Sequence, residues 1–178
     1  MACTVSLAGI TYDCTDLGIG GITRFSLVAK SVVDAAALGL NSDNRTVDTP
    51  VALAGVVDYT FNLKDGFSAF NEVKTVNADG TTTTVPTITV EFPKMTAAKV
   101  TELNEVATGG AELVAFIETA AGTYHLVGAD YGLYASSVDM SSGTSRAEKN
   151  RIQLTLTGEE NGLSYSIDDE TDFNTIIA

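Results

Sequence analysis

Apolar side chains fall on every second position of "RIQLTLTG" at 151–158: Ile152, Leu154 and Leu156 alternate with Gln153, Thr155 and Thr157. Alternation of this kind marks a strand with one buried face. The same period places Phe25, Leu27 and Ala29 opposite Arg24, Ser26 and Val28, and Ile88, Val90 and Phe92 opposite Thr87, Thr89 and Glu91. Residues 51–63, rich in valine and aromatics, predict a further strand. "ELVAFIET" at 112–119 has no alternation and reads as a strand covered on both faces. "YHLVG" and "YGLYASSVDM" add two more, and Leu163, Tyr165 and Ile167 form a return strand after the "EENG" turn. Asp79-Gly80, in a setting that suits positive φ, turns a long hairpin over about 67–92. Its tip, with four consecutive threonines, has almost no core-forming side chains and reads as a projection that finds partners outside its own core.

One segment changes period. From Thr96, a capping residue, Ala97, Val100, Leu103 and Val106 or Ala107 form a stripe at helical spacing, which predicts a helix over about 96–108 ended by Gly109-Gly110. The elements sum to about eight strands and one helix. The fold class is mainly β: an antiparallel sandwich or barrel with one flanking helix and extended arms or hairpin. Residues 1–21 read as an N-terminal arm, 22–169 as the sandwich domain and 170–178 as an acidic, then apolar, tail.

Composition narrows the function classes. The 178 residues carry 23 acids against 10 bases, a net charge of −13. Tight nucleic-acid binding replaces phosphate counterions with lysine and arginine, so this chain on balance repels DNA. No apolar run approaches the ~20 residues that span a bilayer. "MACTVSLAGITYD" has no basic residue at its start, so no secretory signal is expected.

Candidate chemistry is sparse. Cys3 and Cys14 match no zinc spacing and read as reduced thiols. The "GIGG" at 18–21 lacks the lysine and hydroxyl of a phosphate loop. A Ser-His-Asp triad could use only His125, and no nucleophile-elbow motif supports one. Asp168, Asp169, Glu170 and Asp172 offer oxygens of the kind calcium takes, without EF-hand spacing. A solvated acidic tail is the plainer reading, as is a charged turn for Glu159 and Glu160. No catalytic, cofactor-binding or metal residue is nominated, and no enzyme activity or cofactor is expected.

The stretch "HLVGADYGLYASSVDMSSGTSRAEKNRIQLTLTGEENG", with its G-x-x-Y-G-L, its glycine loop and its I-x-L-T-L-T-G-E, resembles a segment near the end of tailed-phage structural proteins. "LGIGGITRFSLVAKSVVD" after a cysteine is similar to the start of tail-tube-like proteins of Bacteroidetes phages and prophages. The resemblance implies a virion structural protein. Six copies would close a ring through shared sheet edges, and rings would stack into a tail tube, or a tail or neck ring, through which phage DNA passes without specific binding. It implies other tail, neck or sheath proteins as partners, assembly in the host cytoplasm, and bridging by the hairpin and termini, with either 41–50 or 74–84 as the ring-to-ring bridge. Net charge adds the expectation of an acidic bore. Within the class, a head decoration or tail terminator is an alternative. Outside it stand a β-sandwich binding module, such as a host-glycan or cell-surface adhesin, and an enzyme built on scattered acids.

Overall fold

The structure, a computed structural model, describes residues 20–60, 68–108, 110–144 and 148–178. These form eleven strands and two α-helices: β1 Ile22–Ala29, β2 Leu40–Asn41, β3 Thr46–Val47, β4 Val57–Thr60, β5 Ala69–Val76, β6 Thr82–Pro93, α1 Ala97–Thr108, β7 Leu113–Thr119, β8 Tyr124–Val127, β9 Leu133–Ser141, β10 Arg151–Gly158, β11 Tyr165–Ile167 and α2 Glu170–Ile177. The chain is mainly β, as its pattern predicts, and the sheet is not closed into a barrel.

The sheet has two halves. One runs β4-β1-β7-β8-β11-β3-β2, and the other is β9-β10-β6-β5. They join where Leu113 of β7 meets Leu133 of β9. All pairings are antiparallel except β11 with β3. The joint depends on glycine. A Cβ on Gly128, where φ is +87°, would lie 2.7 Å from Leu133 Cγ, and one on Gly158 would lie 2.5 Å from the Gly132 carbonyl oxygen. The glycines of the motif at 128–158 thus let two backbones cross at a corner.

Folding at that corner presses the halves together in a sandwich-like arrangement. Phe25 and Leu27 of β1 and Ala115 and Ile117 of β7 form one core with Ile88, Val90 and Phe92 of β6, Ile152, Leu154 and Leu156 of β10, and Leu103 of α1. A second core covers the other face of the first half, where Val114, Phe116 and Leu126 pack with Leu38, Leu53, Tyr165, Phe173 and Ile176. β7 therefore lies between two cores, which is why its sequence shows no alternation.

The helix predicted over 96–108 is α1, with Thr96 Oγ1 accepting from the Lys99 amide. Its buried stripe is narrower than the pattern suggests: Leu103 is buried and Val100 and Val106 partly so, while Ala97 and Ala107 are exposed. Three further expectations change. The strand read at 51–63 begins at Val57, because a turn at Ala54-Gly55, with φ +75° at the glycine, interrupts it and Leu53 instead donates its amide to Ile176; residues 61–63 lie outside the described residues. The strand at 165–167 does not return along β10 but pairs with β8 in the other half. Finally, the tail at 170–178 forms α2, whose Phe173 and Ile176 are fully buried. Asp169 caps this helix by accepting from the Asp172 amide at 2.9 Å, and Glu170 and Asp172 complement its positive end. The arm at 1–21 lies, except for Gly20 and Gly21, outside the described residues.

Because α2 completes a core, Phe173→Ala should lower the unfolding free energy by about 3–5 kcal/mol. Thr175→Ala, on the exposed face, should change it by less than about 1 kcal/mol. Urea unfolding measures both, and equal effects would contradict the docking of α2.

Candidate functional site

The second half of the sheet presents the most distinctive surface. β5 pairs only with β6, along all eight of its residues, Ala69↔Thr89 to Val76↔Thr82. β9 pairs with β10 from Leu133 to Ser141, and its other side meets β7 only at Leu133. Among the described residues, β5 and the stretch of β9 after Leu133 are thus two long free edges. Each exposes a row of alternating amide and carbonyl groups, a template for another strand. Among the described residues the first half ends in shorter strands, β4 with four residues and β2 with two.

Register assigns the faces of this ribbon, since successive side chains point to opposite sides. One face carries the core residues of β6 and β10. The other brings together Thr75 and Val73 of β5, Thr83, Val85, Thr87 and Thr89 of β6, Gln153, Thr155 and Thr157 of β10, and Tyr134, Ser137 and Asp139 of β9. Its remaining charges are Glu91 and Arg151, which pair at 2.7 Å, with Lys149 3.4 Å from the same carboxylate. This face is hydroxyl-rich and close to neutral, although the chain as a whole is strongly acidic.

A polar seam ties the hairpin of β5 and β6 to the first half. Glu72 of β5 accepts from the Ser164 amide at 2.9 Å and from the Ser164 hydroxyl at 3.0 Å. His125 Nδ1 lies 3.4 Å from the same hydroxyl, and its Nε2 lies 3.2 Å from Thr123 Oγ1. Burial holds the His125 pKa below its usual value, against the pull of Glu72. A serine nucleophile needs an imidazole oriented by an acid on its far nitrogen. Here the acid grips the serine itself, so the arrangement is a tie across the two halves.

The seam continues at Arg45, a non-glycine residue with φ +55°. Its guanidinium pairs with Asp130 at 3.0 Å, donates to the carbonyls of Gly162 and Leu163, and lies 3.9 Å from the centre of the Tyr165 ring. Asp130 also accepts from the Tyr165 hydroxyl and the Asn161 amide. Lys30, in the 3-10 turn that follows β1, donates to the carbonyls of Ala129 and Asp130 and fixes the same loop. Beneath lies Glu160, 4% exposed, which accepts from the amides of Asp130 at 3.0 Å and Tyr131 at 3.3 Å. Its backbone exchanges two hydrogen bonds with Thr84 of β6. An open cavity of about 350 Å³ lies over this cluster, lined by Asp43, Arg45, Lys74, Asp130, Asn161 and Tyr165 among others. Glu160 is not among the lining residues, and all three nitrogens of the Arg45 guanidinium already donate to protein atoms.

The acids weighed in the sequence belong to different parts of the fold. Asp169, Glu170 and Asp172 serve the start of α2, Asp168 and Glu159 are exposed and Glu160 is buried. Cys3 and Cys14 lie outside the described residues. Among the described residues no group of three or more His, Cys, Asp or Glu side chains is placed to hold a metal ion, and no helix is long and apolar enough to cross a membrane. The Arg45 cluster had no signal in its polar loop, because its partners lie 85 to 121 positions away. No known protein family, curated protein or solved structure matches this chain.

Arg45→Ala should destabilise the fold by about 3 kcal/mol or more, since it leaves Asp130 and two carbonyls without their donor. Arg45→Lys should recover little, because an ammonium cannot reproduce the planar fork or its stacking on Tyr165. Chemical denaturation checks both, and full recovery by lysine would contradict the assignment.

Proposed function

We propose that this chain is a self-assembling virion structural protein, a subunit of a tail tube or of a tail or neck ring. The reading rests on the four-stranded half, β9-β10-β6-β5. An even number of antiparallel strands leaves its two edge strands running in opposite directions. When copies in the same orientation meet head to tail, β5 of one and β9 of the next are antiparallel, and the sheet continues without a break. Such heterologous contacts close into rings when the rotation allows, and closure removes every free edge. The two strands are also matched in length, eight residues against nine.

The resemblance supplies six as the copy number. Six copies would contribute about 24 strands at ~4.8 Å spacing, and hence a wall roughly 37 Å across at the backbone before strand tilt widens it. The inner core fastens one face of each ribbon to its own subunit, so the hydroxyl face is the one left for the bore. DNA would then pass a nearly neutral wall of threonine, serine and glutamine. This replaces the acidic bore expected from net charge, because the register of β5, β6, β9 and β10 leaves most acids off that face. The hairpin tip around Asp79-Gly80 is the part placed to reach a neighbouring ring. The working location is the virion tail, after assembly in the host cytoplasm, with other tail, neck or sheath proteins as further partners.

Cross-linking tests the pairing. In a chain with Cys3 and Cys14 changed to serine, Asn71→Cys on β5 and Ser137→Cys on β9 should together give a disulfide-linked ladder that ends at the ring size. Each single variant should give no ladder. A β5–β5 contact would instead link Asn71→Cys alone into dimers. A double variant that stays monomeric at high concentration, with a glycan bound, would favour the adhesin reading.

A further inference from the structure

The hairpin of β5 and β6 outruns its neighbour. β10 last pairs with β6 at Thr157↔Thr87, so residues from Thr84 to the tip lack a β10 partner. Beyond that point the described chain holds the hairpin at three places: the Thr157 hydroxyl on the Pro86 carbonyl, Glu72 with Ser164, and the two backbone bonds between Thr84 and Glu160. Glu160 is therefore the last anchor on β6. Its backbone grips the hairpin while its side chain lies buried under the loop of Asp130 and Tyr131.

The charges around this anchor do not balance. Two carboxylates, Asp130 and Glu160, share one guanidinium, 3.0 Å from Asp130 but 3.9 Å from Glu160. The remaining Arg45 donors are given to the Gly162 and Leu163 carbonyls. Every element packed here contributes a titratable or charged group. Arg45 and Asp43 come from the turn between β2 and β3, Lys74 from β5, Asp130 and Tyr131 from the loop before β9, and Tyr165 from β11, while Lys30, just after β1, is taken up by the Ala129 and Asp130 carbonyls. Lys74 and Asp43 are exposed residues lining the cavity, whereas Glu160 is buried and does not line it. With Glu160 neutral, one positive and one negative charge remain at the buried core of the cluster. With Glu160 ionised, a second buried negative charge has two backbone amides but only the distant, shared guanidinium as a cation.

We propose that Glu160, Asp130 and Arg45 form a proton-controlled latch, closed on the hairpin when Glu160 carries a proton and loosened when it does not. This goes beyond the assembly reading and does not depend on it. Burial raises the Glu160 pKa to about 7, aided by the charge and hydrogen bond of Asp130 and opposed by the Asp130 and Tyr131 amides. Burial also acts to raise Asp130, but the hydrogen bond and charge of Arg45 outweigh it and hold Asp130 below its usual value. The proton thus belongs to Glu160. A carboxyl whose pKa is raised by folding gives its full contribution below the ordinary value near 4.5, and that contribution is lost as the pH climbs to about 7. The latch is closed in mild acid and open above neutrality. Opening would free the distal hairpin, including the end of the β5 edge, to change its angle.

Hydrogen exchange on the unassembled full-length chain reads the latch directly. After correction for intrinsic rates, protection of peptides covering 82–86 and 128–132 should fall at least tenfold between pH 5.5 and 8.5. Peptides from the inner core, such as 152–156, should change much less. Glu160→Gln, which stays neutral and keeps one oxygen to accept from the loop amides, should remove the pH dependence of that protection. A second measurement covers the case in which that variant does not fold: carboxyl NMR of the unaltered chain should show the Glu160 side chain titrating near 7. Titration near 4.5, or the same pH-dependent loss in Glu160→Gln, would overturn the latch. Neither result bears on whether β5 pairs with β9 of another copy.

Discussion

Edge-strand hydrogen bonding is the constraint on which this molecule turns. A sheet can hide its faces by folding over, and this one does so twice, on either side of β7. It cannot hide its edges that way. Folding at the Leu113–Leu133 corner leaves β5 and β9 at opposite margins of a four-stranded ribbon. Soluble proteins usually blunt such margins with short strands, prolines, inward charges or a covering element. β9 carries a bulge near Ser136 and has α1 packed against it, and β5 carries Glu72 and Lys74, but neither strand contains proline and both are long. Edges so lightly guarded are costly in a monomer and useful in an assembly.

The opposite margin of the sandwich is handled by polar groups instead of closure. Glu72, Ser164, Arg45, Asp130 and Glu160 bring carboxylates, a guanidinium and loop carbonyls to the place where the hairpin meets β8 and β11. Buried charges of this kind add little net stability over a well-packed apolar seam, but they cost several kcal/mol if one partner is removed. Their arrangement therefore determines the position of the hairpin more than the strength of the fold. It also leaves one carboxyl short of a cation, which makes the seam sensitive to protons in a way the two apolar cores are not.

Much of the fold was legible in periodicity. Ile152, Leu154 and Leu156 alternate because β10 has one dry face, and 113–117 lacks alternation because β7 has two. The hairpin turn and α1 followed from Asp79-Gly80 and from the stripe through Val100 and Leu103. What escaped reading was set by distant contacts. Residues 51–56 have strand composition, yet they turn at Gly55 and lie against α2. The acidic opening of α2 masked a helix whose only signals were the Asp169 cap and the spacing of Phe173 and Ile176. β11 follows β10 in sequence but pairs with β8. Arg45 sits in a polar turn, and nothing local foretells that its guanidinium organises residues more than 80 positions away. Net charge, a sum over the chain, likewise says nothing about which face each acid occupies.

The central claim is that β5 and β9 are completed by other copies of the chain. Electron microscopy of the purified full-length protein over a wide concentration range tests it most directly. The account predicts closed rings, and stacks of rings at higher concentration, with sheet density continuous from one subunit to the next. A monodisperse monomer at the highest concentration, or rings whose subunits touch only through helices and loops, would contradict it.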